Sequence, residues 1–265
     1  MGFINQKRIL SEVNPLIESL KNGGSENIIL QGPAGCGKTM LAKIIARSIE
    51  EYSFQIPVKG NIKIDSGTRV QIIDEIHELR SFEPLYPLLD SEEHVFIFCT
   101  TEYGGVPEPF SSRCIRFTFD RYSNDDLTRI VFNYAKSRSY PVDIYSALLI
   151  AQVSRGSPRI AKQRFNRVKR MIAYYDFKWS EENIFQILNM IGIYNLGYTK
   201  EDMDYLEILK DKEVLGLRNI SRILRVDQNT IVREIEPFLI EKGHIEITSK
   251  GRRLINCPQI LPTTQ

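Results

Sequence analysis

The first third of the chain alternates short apolar runs with longer stretches of helical periodicity. Strands are predicted at Asn27–Leu30, Val70–Ile73 and Val95–Cys99, with a helix at Thr39–Glu50. Strands that alternate with helices are typical of a parallel sheet covered by helices. The pattern therefore predicts an α/β domain over residues 1–120.

From residue 124 onward the periodicity becomes helical throughout. The predicted helices are Asp125–Ser137, Ile144–Ser154, Arg159–Tyr175 and Glu181–Ile191. A small all-helical domain, which we call the lid, is therefore predicted over residues 121–195.

The last part of the chain, residues 196–265, mixes both patterns. Helices are predicted near Lys200–Lys210 and at Asn219–Leu224 and Asn229–Lys242, followed by strands at Ile245–Thr248 and Leu254–Ile255. Three helices followed by two short strands are typical of a winged helix. The tail Pro258–Gln265 is predicted to be unstructured.

Composition narrows the function only a little. With 42% hydrophobic and 26% charged residues, the 265-residue chain has no apolar run near the roughly 20 residues that span a bilayer, and no secretory leader pattern. We therefore expect a cytoplasmic protein without membrane contact. The four cysteines form no CxxC pair, which argues against a zinc module, and the net charge of +2 identifies no partner.

A phosphate-binding loop follows the first predicted strand and precedes the first predicted helix. The segment matches GxxxxGK[ST], and a strand before it and a helix after it are the context that this motif requires. Its glycines let backbone N–H groups surround phosphates, Lys38 would reach the β- and γ-phosphates, and Thr39 would ligate Mg²⁺. The cofactors predicted are therefore ATP and Mg²⁺. The loop consists of Gly32, Pro33, Ala34, Gly35, Cys36, Gly37, Lys38 and Thr39.

Two adjacent carboxylates end the predicted strand Val70–Ile73. Asp74, beside the phosphate loop, would hold the Mg²⁺ shell, and Glu75 would polarise the attacking water. On its own, a strand followed by an acidic helix start would explain both residues. The phosphate loop upstream favours the catalytic interpretation.

With these motifs the chain resembles the AAA+ ATPases, and within them the RuvB group of Holliday-junction branch-migration motors. The similarity extends over nearly the whole chain. It is carried by Phe3–Gln6, Asp74–His77, Thr100–Thr101, the Ser154–Ala161 segment SRGSPRIA, and Glu236–Ile240 with Thr248–Arg252. The resemblance implies a nucleotide-binding domain, a helical lid and a DNA-binding winged helix.

The resemblance also implies residue roles. Thr101, or alternatively Thr100, would act as the first sensor and hydrogen-bond the attacking water or the γ-phosphate, and Arg159 would reach the γ-phosphate from the lid. Arg113, in Ser112-Arg113-Cys114, lies where such proteins place an arginine finger that completes the site of a neighbouring subunit, which implies a ring, with six subunits expected. The residues expected near the adenine are Ile4, Tyr122 and Pro158.

One element of the RuvB group is expected to be missing. The group inserts a β-hairpin that docks its partner protein between the second acidic motif and the first sensor. Here only His77 to His94 separates Glu75 from the next strand, and Arg80–Leu89 is predicted to be a helix with its connection. Such compaction favours a relative encoded by a phage or mobile element and acting in the host cytoplasm.

Cations point to a nucleic-acid surface in two places. On the lid they form one run without an intervening acid: Arg155, Arg159, Lys162, Arg164, Arg167, Lys169 and Arg170. DNA contact, ATP contact and subunit contact remain open there. The winged helix carries the expected DNA contacts, namely Arg233 on the predicted recognition helix and Lys250, Arg252 and Arg253 at the wing. A winged helix used for protein contacts is the alternative.

Together these features favour an oligomeric, ATP-driven motor that moves double-stranded or junction DNA in recombination or replication-fork processing. The alternative is a clamp or helicase loader that uses hydrolysis as an assembly switch, and it would bind a replication or recombination partner protein. The weak similarity of Ser112-Arg113-Cys114 to the SRC triplet of clamp loaders and the missing hairpin favour this second hypothesis.

Overall fold

The computed structural model describes residues 3–258, which fall into two compact units. The first extends to Asp126 and also contains Gly156–Arg159, while the second contains Leu127–Arg155 and continues from Ile160. Gly156–Arg159 thus packs with the first unit, although Arg155 and Ile160 on either side of it belong to the second. No helix among the described residues is long and apolar enough to cross a membrane.

A five-stranded parallel sheet forms the centre of the first unit. Its strands are β1 (Asn27–Gln31), β2 (Tyr52–Gln55), β3 (Val70–Ile73), β4 (Val95–Thr100) and β5 (Cys114–Thr118), and their order is β2-β3-β4-β1-β5. All residues of β3 and β4 are buried, as expected for central parallel strands. Because the strands are parallel, the segments after β1, β3 and β4 meet at one edge of the sheet.

Four helices accompany the sheet: α1 (Lys7–Lys21), α2 (Lys38–Ile49), α3 (Tyr86–Asp90) and α4 (Glu108–Ser111). Helix α1 packs against α2. A cluster of aromatic rings holds α3 and α4 to β4: between ring centroids, Phe110 of α4 lies 4.8 Å from Phe98 of β4 and from Phe82, and 6.5 Å from Tyr86 of α3. This packing fixes the positions of α3 and α4.

The partner-docking hairpin of the RuvB group is absent, as the sequence predicted. Residues 74–94 are all described and hold no strand. They form 3₁₀ turns at Ile76–Glu78 and Glu83–Leu85 followed by α3. The helix predicted over Arg80–Leu89 is therefore only partly correct.

The lid part of the second unit consists of helices that match the prediction to within a few residues at their ends. They are α5 (Asn124–Lys136), α6 (Ile144–Gln152), α7 (Pro158–Tyr175) and α8 (Glu181–Met190). The side chains of Asp143 and Ser180 accept backbone N–H groups and cap α6 and α8. Phe165 of α7 stacks on Trp179 in the core.

The predicted winged helix is also present in the second unit. It contains α9 (Lys200–Lys210), α10 (Leu217–Leu224), a recognition helix made of the consecutive segments Gln228–Thr230, Ile231–Ile235 and Glu236–Glu241, and the antiparallel strands β6 (Ile245–Thr248) and β7 (Gly251–Leu254). The wing strand predicted at Leu254–Ile255 thus lies a few residues earlier. Leu215 pairs with Arg252 and ties the helices to the wing.

The middle segment of the recognition helix is a π-helical turn. Pro237 follows it, and proline has no N–H to donate to the carbonyl of Arg233, which its ring would also crowd. The wider π turn accommodates this proline without ending the helix.

Four elements were not predicted, namely β2, β5, α1 and the four-residue helix α4. Strands β2 and β5 are the two edges of the sheet, and neither has the continuous apolar run of a central strand. Helix α1 contains Pro15, a residue that argues against a helix, although the carbonyl of Ser11 that it leaves unpaired belongs to an exposed residue. The predicted boundaries at 120/121 and 195/196 remain predictions. For the tail, residues 259–265 lie outside the described part of the chain.

Candidate active site

The phosphate loop lies between β1 and α2 and depends on three glycines. Gly32, Gly35 and Gly37 have φ angles of +147°, +75° and +105°, which side chains rarely adopt. There is also no space for a side chain at Gly35, where an added Cβ would lie 2.7 Å from the Cβ of Arg159 and from the Oγ of Ser157. The glycines therefore let the backbone curl tightly enough to surround an anion.

Lys38 occupies the mouth of this loop. Its side chain is part of a residue only 5% exposed, and its Nζ donates hydrogen bonds to the carbonyls of Gly32 at 2.7 Å and Pro33 at 2.9 Å. A buried ammonium held by two carbonyls, with the Cys36 sulfur at 4.0 Å and no carboxylate among these partners, is a good partner for a phosphate. Burial raises the pKa of the neighbouring Cys36 thiol, which therefore stays protonated.

Thr39 and Asp74 come together as predicted for a metal shell. The Thr39 hydroxyl donates to the Asp74 carboxylate at 2.7 Å, and Asp74 is buried. Within residues 3–258, no group of three or more His, Cys, Asp or Glu side chains could hold a metal by itself. One carboxylate and one hydroxyl suit Mg²⁺, which usually completes its shell with water and phosphate oxygens.

Glu75 lies immediately beyond the end of β3 in a left-handed backbone conformation, with φ of 53°. Its backbone N–H donates to Asp74 Oδ1 at 3.1 Å. The Thr101 hydroxyl donates to Glu75 Oε2 at 3.2 Å, and His77 Nδ1 lies 3.4 Å from the same oxygen. The carboxylate expected to activate water is therefore held beside the end of β4.

The two candidate sensors have different surroundings. Thr100 is fully buried, and its hydroxyl oxygen accepts the N–H of Glu102 at 3.1 Å and contacts His77 Nδ1 at 3.2 Å. Thr101, by contrast, touches Glu75 directly. Thr101 thus contacts the carboxylate expected to activate water, whereas Thr100 supports the turn after β4, and the role of either as a sensor stays a prediction.

His77 is a neighbour of the site that sequence reasoning missed. Its ring bridges Glu75, Thr100 and Glu102, with Nε2 at 3.9 Å from the Glu102 carboxylate. The signal was available in the motif Asp74–His77, because the 3₁₀ turn Ile76–Glu78 folds residue 77 back toward the end of β4.

Residues near the N-terminus and around Tyr122 support the phosphate loop. Tyr122 is buried, and its hydroxyl donates to the carbonyl of Cys36 at 3.1 Å, while burial raises its pKa above the ordinary value. Phe3 lies against Gly37. Ile4 and Pro158 are half-buried. The assignment of Ile4, Tyr122 and Pro158 to the adenine stays a prediction.

Arg159 is brought to the phosphate loop. Its segment Gly156–Arg159 belongs to the first unit, and the carbonyl of Gly156 accepts the N–H of Tyr122 at 3.0 Å. The Cβ of Arg159 lies next to Gly35, and its side chain is exposed. Its role as a γ-phosphate sensor stays a prediction.

Arg113 is not part of this cluster. It contacts Asp90, Pro109 and Tyr86, none of which belongs to the phosphate loop or to the ends of β3 and β4. Its exposure agrees with a residue that acts outside its own chain. Its role as a finger stays a prediction.

The wing cations differ in what they contact, and the expectation for Arg252 is corrected. Arg252 binds the buried Glu236 through two hydrogen bonds of 2.8 and 3.2 Å, and the Glu236 carboxylate also accepts the Tyr205 hydroxyl. This arginine is therefore part of the winged-helix core and is not placed to contact DNA. Lys250 is exposed, and Arg253 is exposed beside Glu246.

The cationic run on the lid is mostly structural. Arg155 forms an ion pair with Asp202, Arg164 is buried, and the ammonium groups of Lys162 and Lys169 lie over the rings of Tyr134 and Tyr140. Of the remaining members, Arg159 is at the phosphate loop. Arg167 and Arg170 are exposed, so the uninterrupted DNA-facing stripe considered from the sequence is not formed.

Comparison with known proteins agrees with this architecture. The family model of the ATPase family associated with various cellular activities (AAA) matches residues 28–68, and that of the RuvB C-terminal winged helix domain matches residues 195–256.

Similarity to individual proteins extends over almost the whole chain. The RuvB subunit of the Holliday junction branch migration complex from Campylobacter lari is 31% identical, with 95% of this chain and 86% of the relative covered. The corresponding subunit from Nitratiruptor sp. is 29% identical, with coverage of 94% and 86%. The structure of the RuvB Holliday junction branch migration motor from Thermotoga maritima superimposes with a TM-score of 0.82 at 26% identity, covering 96% of this chain and 93% of that one. The site, the winged helix and this similarity together establish that the chain is a nucleotide-binding AAA+ ATPase of the RuvB family.

Proposed function

We propose that this protein is an ATP- and Mg²⁺-dependent motor that moves junction or duplex DNA as an oligomeric ring in the cytoplasm. The observation that carries the proposal is the joint presence of a hydrolytic site and a RuvB-type winged helix in one chain.

The phosphate loop Gly32–Thr39 would hold the triphosphate through its backbone N–H groups, and Lys38 would exchange its two loop carbonyls for the β- and γ-phosphates. Thr39 and Asp74 would hold Mg²⁺ between them, since they already share a hydrogen bond. The metal would neutralise charge that develops on the phosphates.

Glu75 would accept the proton of the attacking water while Thr101 holds its carboxylate in position. Arg159 would report the presence of the γ-phosphate from the start of α7. Arg113 would enter from a neighbouring subunit, in a ring that we expect to have six members, and stabilise the transferring phosphoryl group.

DNA would contact the winged helix through Arg233 on the recognition helix and Lys250 and Arg253 on the wing. These cations suit the phosphate backbone, and a motor that moves over any sequence needs little base readout. Without the hairpin, any partner protein must dock on a different surface.

DNA-stimulated ATPase activity tests the proposal. Four-way junction or duplex DNA should raise kcat in wild type and in a Ser249→Ala control, which changes an exposed wing residue without charge. The double substitution Arg233→Ala and Lys250→Ala should keep basal activity but weaken the stimulation. DNA-independent hydrolysis by wild type would reject the motor.

A loader is the second candidate, favoured by the Ser112-Arg113-Cys114 triplet and the absent hairpin. A loader holds its partner in the ATP state, so Glu75→Gln should trap a stable complex with another ring or clamp protein. If a pull-down with that variant recovers no such partner, the loader loses its support.

A further inference from the structure

We propose that Asp90 and Tyr86, on the helix that follows the second acidic motif, are positioning residues that hold Arg113 in the orientation needed to reach a neighbouring subunit. The inference rests on the proposed role of Arg113 as an arginine finger. It identifies the residues of the same chain that orient this side chain.

Three contacts surround the Arg113 guanidinium. Its Nε donates to Asp90 Oδ1 at 2.9 Å, its Nη1 donates to the carbonyl of Pro109, and its carbon lies 5.2 Å from the Tyr86 ring centroid. The hydrogen bond that Arg113 donates to Asp90 also raises the pKa of Arg113, so the group stays charged. Among the described residues Nη2 has no hydrogen-bond or ion-pair partner.

This pattern differs from an arginine stored in an inactive position. A carboxylate that captures an arginine usually does so with two parallel hydrogen bonds, which use two of its nitrogens on one edge. Asp90 here contacts only Nε, and the Pro109 carbonyl takes a donor on Nη1. One nitrogen therefore remains available for a phosphate oxygen of another chain.

Tyr86, Asp90 and the carbonyl of Pro109 together surround Arg113, and we call them the cradle. The cradle is rigid because its elements are anchored in the core. Tyr86 and Asp90 are four residues apart on α3, so their side chains share one face of the helix. Phe110, three residues before Arg113, is fully buried and lies 4.8 Å from the Phe82 and Phe98 rings and 6.5 Å from Tyr86. Both sides of the contact are thus fixed to the same aromatic cluster.

Pre-orientation matters for a group that acts in another subunit. An unrestrained arginine side chain samples many rotamers, and it loses that conformational entropy when it is ordered at the neighbouring subunit. Small misplacements of a catalytic group can reduce a rate on the order of 100-fold. Loss of the cradle should therefore lower turnover in the neighbouring site and leave nucleotide affinity unchanged.

The test uses Asp90→Asn in the full chain, with Glu93→Gln as the matched control, an exposed carboxylate in the loop after α3. Asp90→Asn should lower kcat for ATP about 10- to 100-fold with little change in KM, and Tyr86→Leu should lower it less. Glu93→Gln should behave as wild type. An unchanged kcat in Asp90→Asn would overturn the inference. An increased kcat would also overturn it, because it would mean that Asp90 holds Arg113 in an inactive position.

Subunit mixing separates positioning from a fold defect. Glu75→Gln subunits cannot hydrolyse ATP but carry an intact finger, so adding them should restore single-turnover hydrolysis in Asp90→Asn subunits. A defect confined to the Asp90→Asn subunit itself would not be rescued, and that result would overturn the inference. Arg113→Ala, mixed in the same way, tests the finger. If Arg113→Ala is not rescued, the proposed finger role fails; if it is rescued and Asp90→Asn is not, only the positioning role fails.

Discussion

At the residue scale, the two threonines Thr100 and Thr101 at the end of β4 have different contacts, which the sequence alone did not distinguish. Thr101 touches the Glu75 carboxylate, whereas Thr100 is buried between His77 and the Glu102 N–H. The predicted strand Val95–Cys99 implies that both threonines lie near Asp74. Which hydroxyl faces Glu75 depends on how the chain turns after residue 100.

We expect Thr101→Val and Thr100→Val to fail differently. Thr101→Val should lower kcat about 100-fold with ATP binding retained, since it removes a donor from the carboxylate that activates water. Thr100→Val should reduce kcat less but cost about 1–3 kcal/mol of stability, because the buried Thr100 hydroxyl, which contacts His77 and accepts the Glu102 N–H, would be lost. Steady-state kinetics and urea unfolding of both variants measure this, and the reverse ranking of kcat would contradict the assignment.

The wing arginines give a second contrast between neighbours. Arg252→Ala should destabilise the protein by about 3–5 kcal/mol, because Glu236 would remain buried without its cation. Lys250→Ala should leave stability unchanged and reduce the dependence of DNA affinity on salt by about one unit of slope. Chemical denaturation and salt titrations of DNA binding check the pair. Equal stability of Arg252→Ala and wild type would show that the core assignment is wrong.

At the element scale, one buried cluster joins the lid to the winged helix within the second unit. Arg155 pairs with the fully buried Asp202, donates through Nε to the carbonyl of Gly197 at 2.9 Å and lies 3.9 Å from the Phe238 ring. The pKa of Asp202 is raised because burial outweighs the attraction of Arg155. The cluster holds the end of α6 against α9 and the recognition helix.

Arg164 is a weak member of this cluster. Burial, and then repulsion from Arg155, lowers its pKa to about 9, and its Nη1 is buried without a hydrogen-bond partner among the described residues. The charge of Arg164 therefore lowers the stability of the fold. The charge of Arg155, by contrast, is paired with Asp202. Gly197, with φ of +87°, has no space for a side chain, because an added Cβ would lie 2.5 Å from the carbonyl oxygen of Val153 and 3.1 Å from Arg164 Nη1.

We therefore predict opposite effects for two arginine-to-methionine substitutions. Arg164→Met should be neutral or stabilise the protein by about 1–3 kcal/mol, because it removes a buried charge while keeping the length of the side chain. Arg155→Met should cost about 3–5 kcal/mol, because Asp202 would lose its cation. Trp179 fluorescence reports unfolding of the second unit, since the chain has one tryptophan and it stacks on Phe165. Destabilisation of more than about 2 kcal/mol by Arg164→Met would contradict this account.

The sequence predicted the central strands, the lid helices and the phosphate loop because each has a local signal. A buried parallel strand reads as an apolar run, and the loop has its glycines in fixed positions. The edge strands β2 and β5 lack that signal, and α1 is hidden by Pro15. The roles of Arg252 and of the lid cations depend on partners distant in sequence, such as Glu236 and Asp202, and spacing along the chain does not reveal them.

At the scale of the whole molecule, the chain keeps the nucleotide site and winged helix of the RuvB family without the docking hairpin. It covers 86% of the Campylobacter lari relative, so the loss is local. The proposed motor therefore requires that ring assembly and DNA contact suffice for movement. The suggestion of a phage or mobile-element origin stays a prediction, and genes of that kind beside this one would support it.

A branch-migration assay with a synthetic four-way junction tests the central claim most directly. Purified protein with ATP and Mg²⁺ should convert a mobile junction into its two branch-migrated duplex products, and Glu75→Gln should bind the junction without moving it. The account predicts product formation that depends on hydrolysis and on Arg113. A wild-type protein that hydrolyses ATP and binds the junction, yet forms no more product than Glu75→Gln, would contradict it.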